Sequence, residues 1–190
     1  SLSMTHDKNY EATQYAIQVA KDNGCLISFD PNLRLSLWKT PEEARRRILY
    51  GMKQCDIMKI SEEEVAFVSE QESLEKGVSF IRDNSDIKIL FVTLGNKGSI
   101  AYYKDEKIYC GGIHQEHVVD TTGAGDTFCG AVLSRILELG TDALTEKDIR
   151  EMLLFANAAA SIVVTRKGAL CSMPEPEEIR AASSLIDKVL

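Results

Sequence analysis

Asp120-Thr121-Thr122-Gly123-Ala124-Gly125-Asp126-Thr127-Phe128 is the most informative stretch of this 190-residue chain. Its glycines and small side chains bring bare backbone N–H groups to the start of a run that reads as a helix over 124–139. A helix start of that kind binds anions, because its first amides lack partners inside the helix and the helix dipole favours negative charge there. Asp126 falls in the same first turn, where the dipole favours its charged form, so it could accept a proton from a hydroxyl beside a bound phosphate. The same letters serve equally well as a glycine-rich turn with a capping aspartate. Two familiar phosphate motifs do not fit. The P-loop needs GxxxxGK[ST], but Gly125 to Gly130 continues as Ala131-Val132, and the dinucleotide fingerprint GxGxxG meets Phe128 where its third glycine belongs.

Working outward, helical spacing of Tyr10, Tyr15, Ala16, Val19 and Ala20 predicts a helix over 7–23, stopped by Asn23-Gly24. Residues 25–29 are an apolar run read as a buried strand, with Asp30 at its C-terminal end. Thr40-Pro41-Glu42-Glu43 opens a helix reaching about residue 53 with a cap, a first-turn proline and dipole-matched acids. A strand at 56–60 leads to an acidic helix start with Ser61 as N-cap, and a further helix spans 74–82. The strand at 87–94, rich in Ile, Val and Phe, runs into Gly95-Asn96-Lys97-Gly98. Residues 99–103 and 107–110 read as a hairpin, and helices follow over 124–139, 146–164 and 177–189. Alternating helices and short apolar strands predict one α/β domain over residues 1–190, with a mostly parallel sheet and helices on both faces. Ligands in such sheets gather at the C-terminal strand ends, which here carry residues 30–32, 61–64, 95–98 and 120–126.

A formal net charge of −7 argues against a nucleic-acid backbone binder, which must present a basic face. Arg45-Arg46-Arg47 reads as the charged side of an amphipathic helix. The five cysteines show no CxxC pair and an odd total, which predicts reduced thiols and a cytoplasmic protein. No apolar run has the ~20 residues that cross a bilayer. Ser1-Leu2-Ser3-Met4 lacks the regions of a signal peptide and leads directly into a helical pattern, which predicts a chain that begins part-way through a longer protein.

The DTTGAGDTF stretch with its small-residue helix resembles the signature of the ribokinase-like (PfkB) carbohydrate kinases. Other segments agree in order and spacing. Asp30-Pro31-Asn32-Leu33-Arg34 with Trp38 is similar to the DPNxR segment of the fructokinase and 2-keto-3-deoxygluconate kinase branches. Thr93-Leu94-Gly95-Asn96-Lys97-Gly98 resembles the family's TxGxxG nucleotide loop. Residues 155–160 and 165–169 resemble its adenine-side helix and closing loop. The fold so implied is a ribokinase-like three-layer sandwich, of which this chain resembles the C-terminal portion, with the N-terminal strands and the β lid missing.

That resemblance implies transfer of the ATP γ-phosphoryl group to a sugar primary hydroxyl. Asp126 would be the general base, and the Gly123, Ala124 and Gly125 amides the anion hole. Thr93, Gly95, Gly98, Asn157, Lys167 and Gly168 would line the nucleotide site, while Asp30, Asn32 and Arg34 would face the substrate. Mg2+ is handled in the family by an NxxE motif acting through water. Glu64 matches its acid, and Ser61 stands in place of its asparagine. A K+-type site is implied at Asp120, Thr122, Val163, Gly168 and Ser172. Fructose is the implied sugar, with a 2-keto-3-deoxygluconate kinase, a nucleoside kinase or a nucleotide-binding fragment without turnover as alternatives. The partners implied are sugar and ATP, with a homodimer of the full-length parent. His114 and His117 lack the HExxH spacing and read as surface loop residues.

Overall fold

The computed structural model describes residues 4–186. The fold is α/β, with five strands of mixed, mostly parallel direction and seven α-helices among the described residues. The chain forms two compact units, Ser1–Val92 and Thr93–Leu190.

In the first unit, α1 (Asp7–Asp22) leads into β1 (Ser28–Phe29), then α2 (Pro41–Met52), β2 (Ile57–Ser61), α3 (Glu62–Ser69), α4 (Leu74–Asp83) and β3 (Ile89–Thr93). The strands run in the order β1-β2-β3, and β1 pairs β2 in parallel through Ser28↔Ile57 and Phe29↔Met58. Residues Ile57, Met58 and Ile60 of β2 and Ile89–Val92 of β3 are buried, which is why both strands read as continuous apolar runs rather than alternating ones. The helix starts follow their caps. Thr40 accepts the Glu43 N–H ahead of Pro41, and Ser73 accepts the Lys76 N–H.

The buried strand expected over 25–29 is shorter and more open. Only Ser28 and Phe29 enter the ladder, and Cys25, Leu26 and Ser28 are exposed. Asp56 is the cause. Its carboxylate takes the Ile27 N–H at 2.8 Å, while Ile27 O accepts the N–H groups of Asp56 and Ile57. Residues before 28 are thereby held by a side chain instead of a strand partner. The run's apolar letters reflect an edge and not a core. Helix α1 buries none of its residues, and Tyr15 is 74% exposed. The first helix of the chain is thus fastened at its ends. Arg47, buried within α2, donates to Met4 O and pairs with Asp7 and Glu43, with its guanidinium 4.7 Å from the Tyr10 ring centre. Met4 sits beside Trp38 and Ala44 in a cluster that Tyr10, Phe29, Leu33 and Phe67 complete. The Arg45-Arg46-Arg47 run therefore splits: Arg45 pairs with Glu70 and bonds Val68 O, and Arg47 is buried.

In the second unit, β4 (Gly98–Tyr103) and β5 (Glu106–Gly111) form an antiparallel hairpin with Gly98 opposite Gly111 and Tyr103 opposite Glu106. Lys104 turns it with φ of 50°. Helices α5 (Ala124–Leu139), α6 (Glu146–Val163) and α7 (Pro176–Ile186) follow. The end of the helix expected over 177–189 lies outside the described residues. Helix α6 opens with a Thr145/Asp148 capping box and buries Ile149, Met152, Leu153, Ala156 and Val163. Tyr103 fixes the hairpin by donating to Thr141 O at 3.0 Å. No helix among the described residues is long and apolar enough to cross a membrane.

Candidate active site

Gly123 opens α5 with φ of 85°, a left-handed conformation that glycine adopts without cost, and no side chain caps the helix. The turn before it is set by Asp120, whose Oδ1 accepts the Thr122 N–H at 2.9 Å. Of the three amides expected to form an anion hole, that of Ala124 already donates to Thr121 O at 3.3 Å. Gly125 follows it in the uncapped first turn. Asp126 is exposed in that turn, and the buried Thr127 hydroxyl beside it has no hydrogen-bond partner among the described residues. Nothing in the sequence singled out Thr127 beyond its place in the motif.

The segment leading into this helix start is tied to the loop after α6. Val119 N and Asp120 N both donate to Val164 O, and Asp120 Oδ2 accepts the Gly168 N–H at 3.4 Å. Ser172, 1% exposed, donates from Oγ to Gly168 O and Ala169 O. A methyl group on Gly123 would lie 3.6 Å from Ala169 Cα. Asp120, Thr122, Gly168 and Ser172 are therefore brought together, with Val163 buried at the end of α6 just before Val164. Hydrogen bonds from the Thr122 side chain and backbone hold the Asp120 carboxyl below the usual carboxylate range. Lys167 is exposed on the same loop. A carboxylate, a hydroxyl and loop carbonyls in one place are the oxygen-rich chemistry that a hard monovalent cation takes.

Thr93 ends β3, and Gly95 turns away from it with φ of 61° and open space around its Cα. Gly98 is different in kind. At φ of 105°, a Cβ there would stand 2.2 Å from Cys110 O, so the close approach of β4 to β5 requires the glycine. Asn157 is likewise committed to the hairpin. Its Oδ1 accepts the Ser99 hydroxyl at 2.9 Å, and its Nδ2 donates to Cys110 O and Gly111 O at 3.2 Å each. Both residues were expected at the nucleotide. The geometry gives them the task of holding the hairpin behind the 93–98 loop.

In the first unit, the 30–34 turn is held from two sides. Asp30 Oδ1 accepts the Asn32 N–H at 3.0 Å, Asn32 has φ of 43°, and Asp30 Oδ2 lies 3.2 Å from Lys59 Nζ. Burial pushes the Asp30 carboxyl above its ordinary value, a rise that the Lys59 charge opposes and the Glu64 charge adds to. Arg34 is exposed and donates to the adjoining Leu33 O. Glu64 Oε2 accepts the Ser61 N–H and Ser61 Oγ accepts the Glu64 N–H, a reciprocal capping box. Glu64 Oε1 reaches back to the Leu33 N–H at 2.6 Å. Each Glu64 oxygen keeps a lone pair, which is what a contact to Mg2+ through bound water needs. Lys59 escaped the sequence reading, although a lone lysine between Met58 and Ile60 in an apolar strand was a visible signal. His114 and His117 differ, the first half-buried and the second exposed.

Known proteins share this fold. The chain is 40% identical over 181 residues to fructokinase-1 of Oryza sativa subsp. japonica, covering 94% of this chain and 55% of that protein. It superposes with a TM-score of 0.87 and 31% identity on a double mutant of Vibrio cholerae O395 fructokinase solved with fructose, ADP and potassium ion, covering 95% of this chain and 57% of that one. The TM-score is 0.88, at 26% identity, against a fructokinase with bound ATP from Xylella fastidiosa, covering 98% and 60%. The chain spans about half the length of the curated relatives it matches. The pfkB family carbohydrate kinase profile matches residues 3–176, nearly the whole chain, and on that ground the chain belongs to the pfkB family of carbohydrate kinases.

Proposed function

We propose that this chain carries the phosphoryl-transfer portion of an ATP-dependent sugar kinase that acts on a primary hydroxyl, with fructose as the sugar. The observation that carries the reading is the start of α5, where an uncapped glycine turn is followed directly by an exposed Asp126. Such a terminus stabilises negative charge with dipoles already in place, and phosphoryl transfer asks for little else beyond positioning.

In this reading Asp126 takes the proton of the sugar hydroxyl, and the amides of Gly123, Ala124 and Gly125 face the moving phosphoryl group. The Ala124 amide would exchange its bond to Thr121 O for the phosphoryl oxygen. Thr93, Gly95 and Gly98 shape the nucleotide loop, Asn157 supports it, and Lys167 and Gly168 lie on the closing side. Asp30, Asn32 and Arg34 address the sugar or phosphates. Glu64 would hold Mg2+ through water, and that ion would neutralise phosphate charge. Asp120, Thr122, Val163, Gly168 and Ser172 would hold K+ beside the helix start. The V. cholerae and X. fastidiosa fructokinases with their ligands support ADP or ATP as the nucleotide and K+ as the ion. A cytoplasmic setting fits both substrates.

A second reading has its own observation. The chain spans about half the length of its curated relatives, so a nucleotide-binding module without turnover is the alternative. ATP consumption by the 190-residue chain, measured across a panel of ketoses, keto-sugar acids and nucleosides with Mg2+ and K+ present, separates the two. Sugar-stimulated ADP release, greatest with fructose, is the expected result. Bound nucleotide with no stimulation by any acceptor would leave the module reading in its place.

A further inference from the structure

Lys59 is 7% exposed in a strand whose neighbours Met58 and Ile60 are fully buried. A buried ammonium is costly unless paired, and a methionine would fill similar space without that cost. Its partner is Asp30, with Nζ 3.2 Å from Oδ2 and 3.5 Å from Oδ1. Asp30 in turn holds the Asn32 N–H, and Asn32 has the left-handed backbone that a non-glycine residue adopts only when its surroundings impose it. Two residues after Lys59, the strand ends at Ser61. There Glu64 grips the next amide of the same turn, that of Leu33. The Leu33 side chain packs on the Met4, Trp38 and Ala44 cluster. One short stretch of chain, 59–64, therefore holds the 30–33 turn with opposite charges: an ammonium on its carboxylate and a carboxylate on its amide.

We propose that Lys59 is a positioning residue that clamps Asp30, and so fixes the backbone of the 30–34 turn in the conformation that presents Asn32 and Arg34 to the sugar. The clamp itself stands on the geometry of the first unit; only what the turn presents itself to rests on the kinase reading above.

The test compares Lys59→Met, Lys59→Arg and the neutral double variant Asp30→Asn/Lys59→Met in the full 190-residue chain, by residue-resolved amide hydrogen exchange. In Lys59→Met, exchange at Asn32 and Leu33 should quicken at least ~10-fold while the β2 and β3 amides keep their protection, because only a local opening is released. Lys59→Arg should restore most of the turn's protection. The double variant, which removes the stranded buried charge, should recover the melting temperature but leave the turn fast. In kinase assays the sugar KM of Lys59→Met should rise about 10-fold with the ATP KM and kcat within about twofold, the pattern of lost substrate positioning. Turn amides as slow as wild type in Lys59→Met, equal quickening across β2 and β3, or full turn protection in the double variant would each overturn the clamp. A wild-type chain that phosphorylates no sugar would sink the kinase reading alone, because the exchange comparison still decides the clamp.

Discussion

Glu64 Oε1 accepts the Leu33 N–H at 2.6 Å while its other oxygen accepts the Ser61 N–H at 2.9 Å. One carboxylate thus caps its own helix and holds a turn 31 residues earlier in the chain. The same residue stands where the family's magnesium-linked acid falls, so structure and chemistry share a side chain.

Glu64→Ala should therefore lower stability even without metal, by about 2 kcal/mol, the usual size of a lost cap plus a stranded donor. Glu64→Gln keeps the shape but can accept through only one of its two terminal atoms, and should fall between. Urea unfolding in EDTA reads both effects. Wild-type stability in the alanine variant would show that the two amides find water instead, and that Glu64 does not anchor the turn.

Asn157 tests the division between support and contact. Its three hydrogen bonds run to Ser99, Cys110 and Gly111, and it is buried in α6. Asn157→Ala should cost about 2–3 kcal/mol by leaving buried polar groups without partners. If its role is support, ADP affinity measured by calorimetry well below the variant's melting temperature should change less than about threefold, under about 1 kcal/mol. A large affinity loss at unchanged stability would place Asn157 at the nucleotide instead.

Much of this was legible in the sequence, and the reasons are local. The caps at Thr40, Ser61 and Thr145 and the buried strands at 57–60 and 89–92 follow from short-range chemistry, so the element boundaries fell close to the observed ones. The error at 25–29 came from a side chain far along the chain: Asp56 takes the Ile27 amide that a strand partner would have used. The candidate site divides in the same way. The DTTGAGD turn announces itself through its glycines. The tie from Asp120 to Gly168, the commitment of Asn157 to the hairpin and the Lys59–Asp30 pair join residues 29 to 58 positions apart, and no single-sequence periodicity encodes them.

Asp30 carries a pH dependence with a definite sign. Burial raises its carboxyl above the ordinary value, so between the unfolded pKa of about 3.9 and the folded one the native chain binds more protons than the unfolded chain. Its contribution to stability therefore falls as pH rises through that window and is level above it. Lys59→Met removes the charge that opposes the rise, and the Asp30 carboxyl should then titrate higher still. Carbon-13 titration of the Asp30 carboxyl reads this directly. An Asp30 that titrates at or below the ordinary aspartate value would contradict the buried pair.

The central claim is that Asp126, at the uncapped start of α5, moves the proton while the helix start holds the phosphoryl charge. Asp126→Asn keeps the size and the helix start but removes the base. The most direct measurement is the rate of sugar-stimulated ADP release by this variant and by wild type at saturating ATP, with ADP affinity measured beside it. The account predicts a loss of about 10²–10⁴ in rate, the usual contribution of a positioned general base, with ADP affinity unchanged. A variant that turns over within about threefold of wild type, under about 1 kcal/mol in barrier, would contradict the assignment of Asp126 and with it the reading of the α5 start as the catalytic centre.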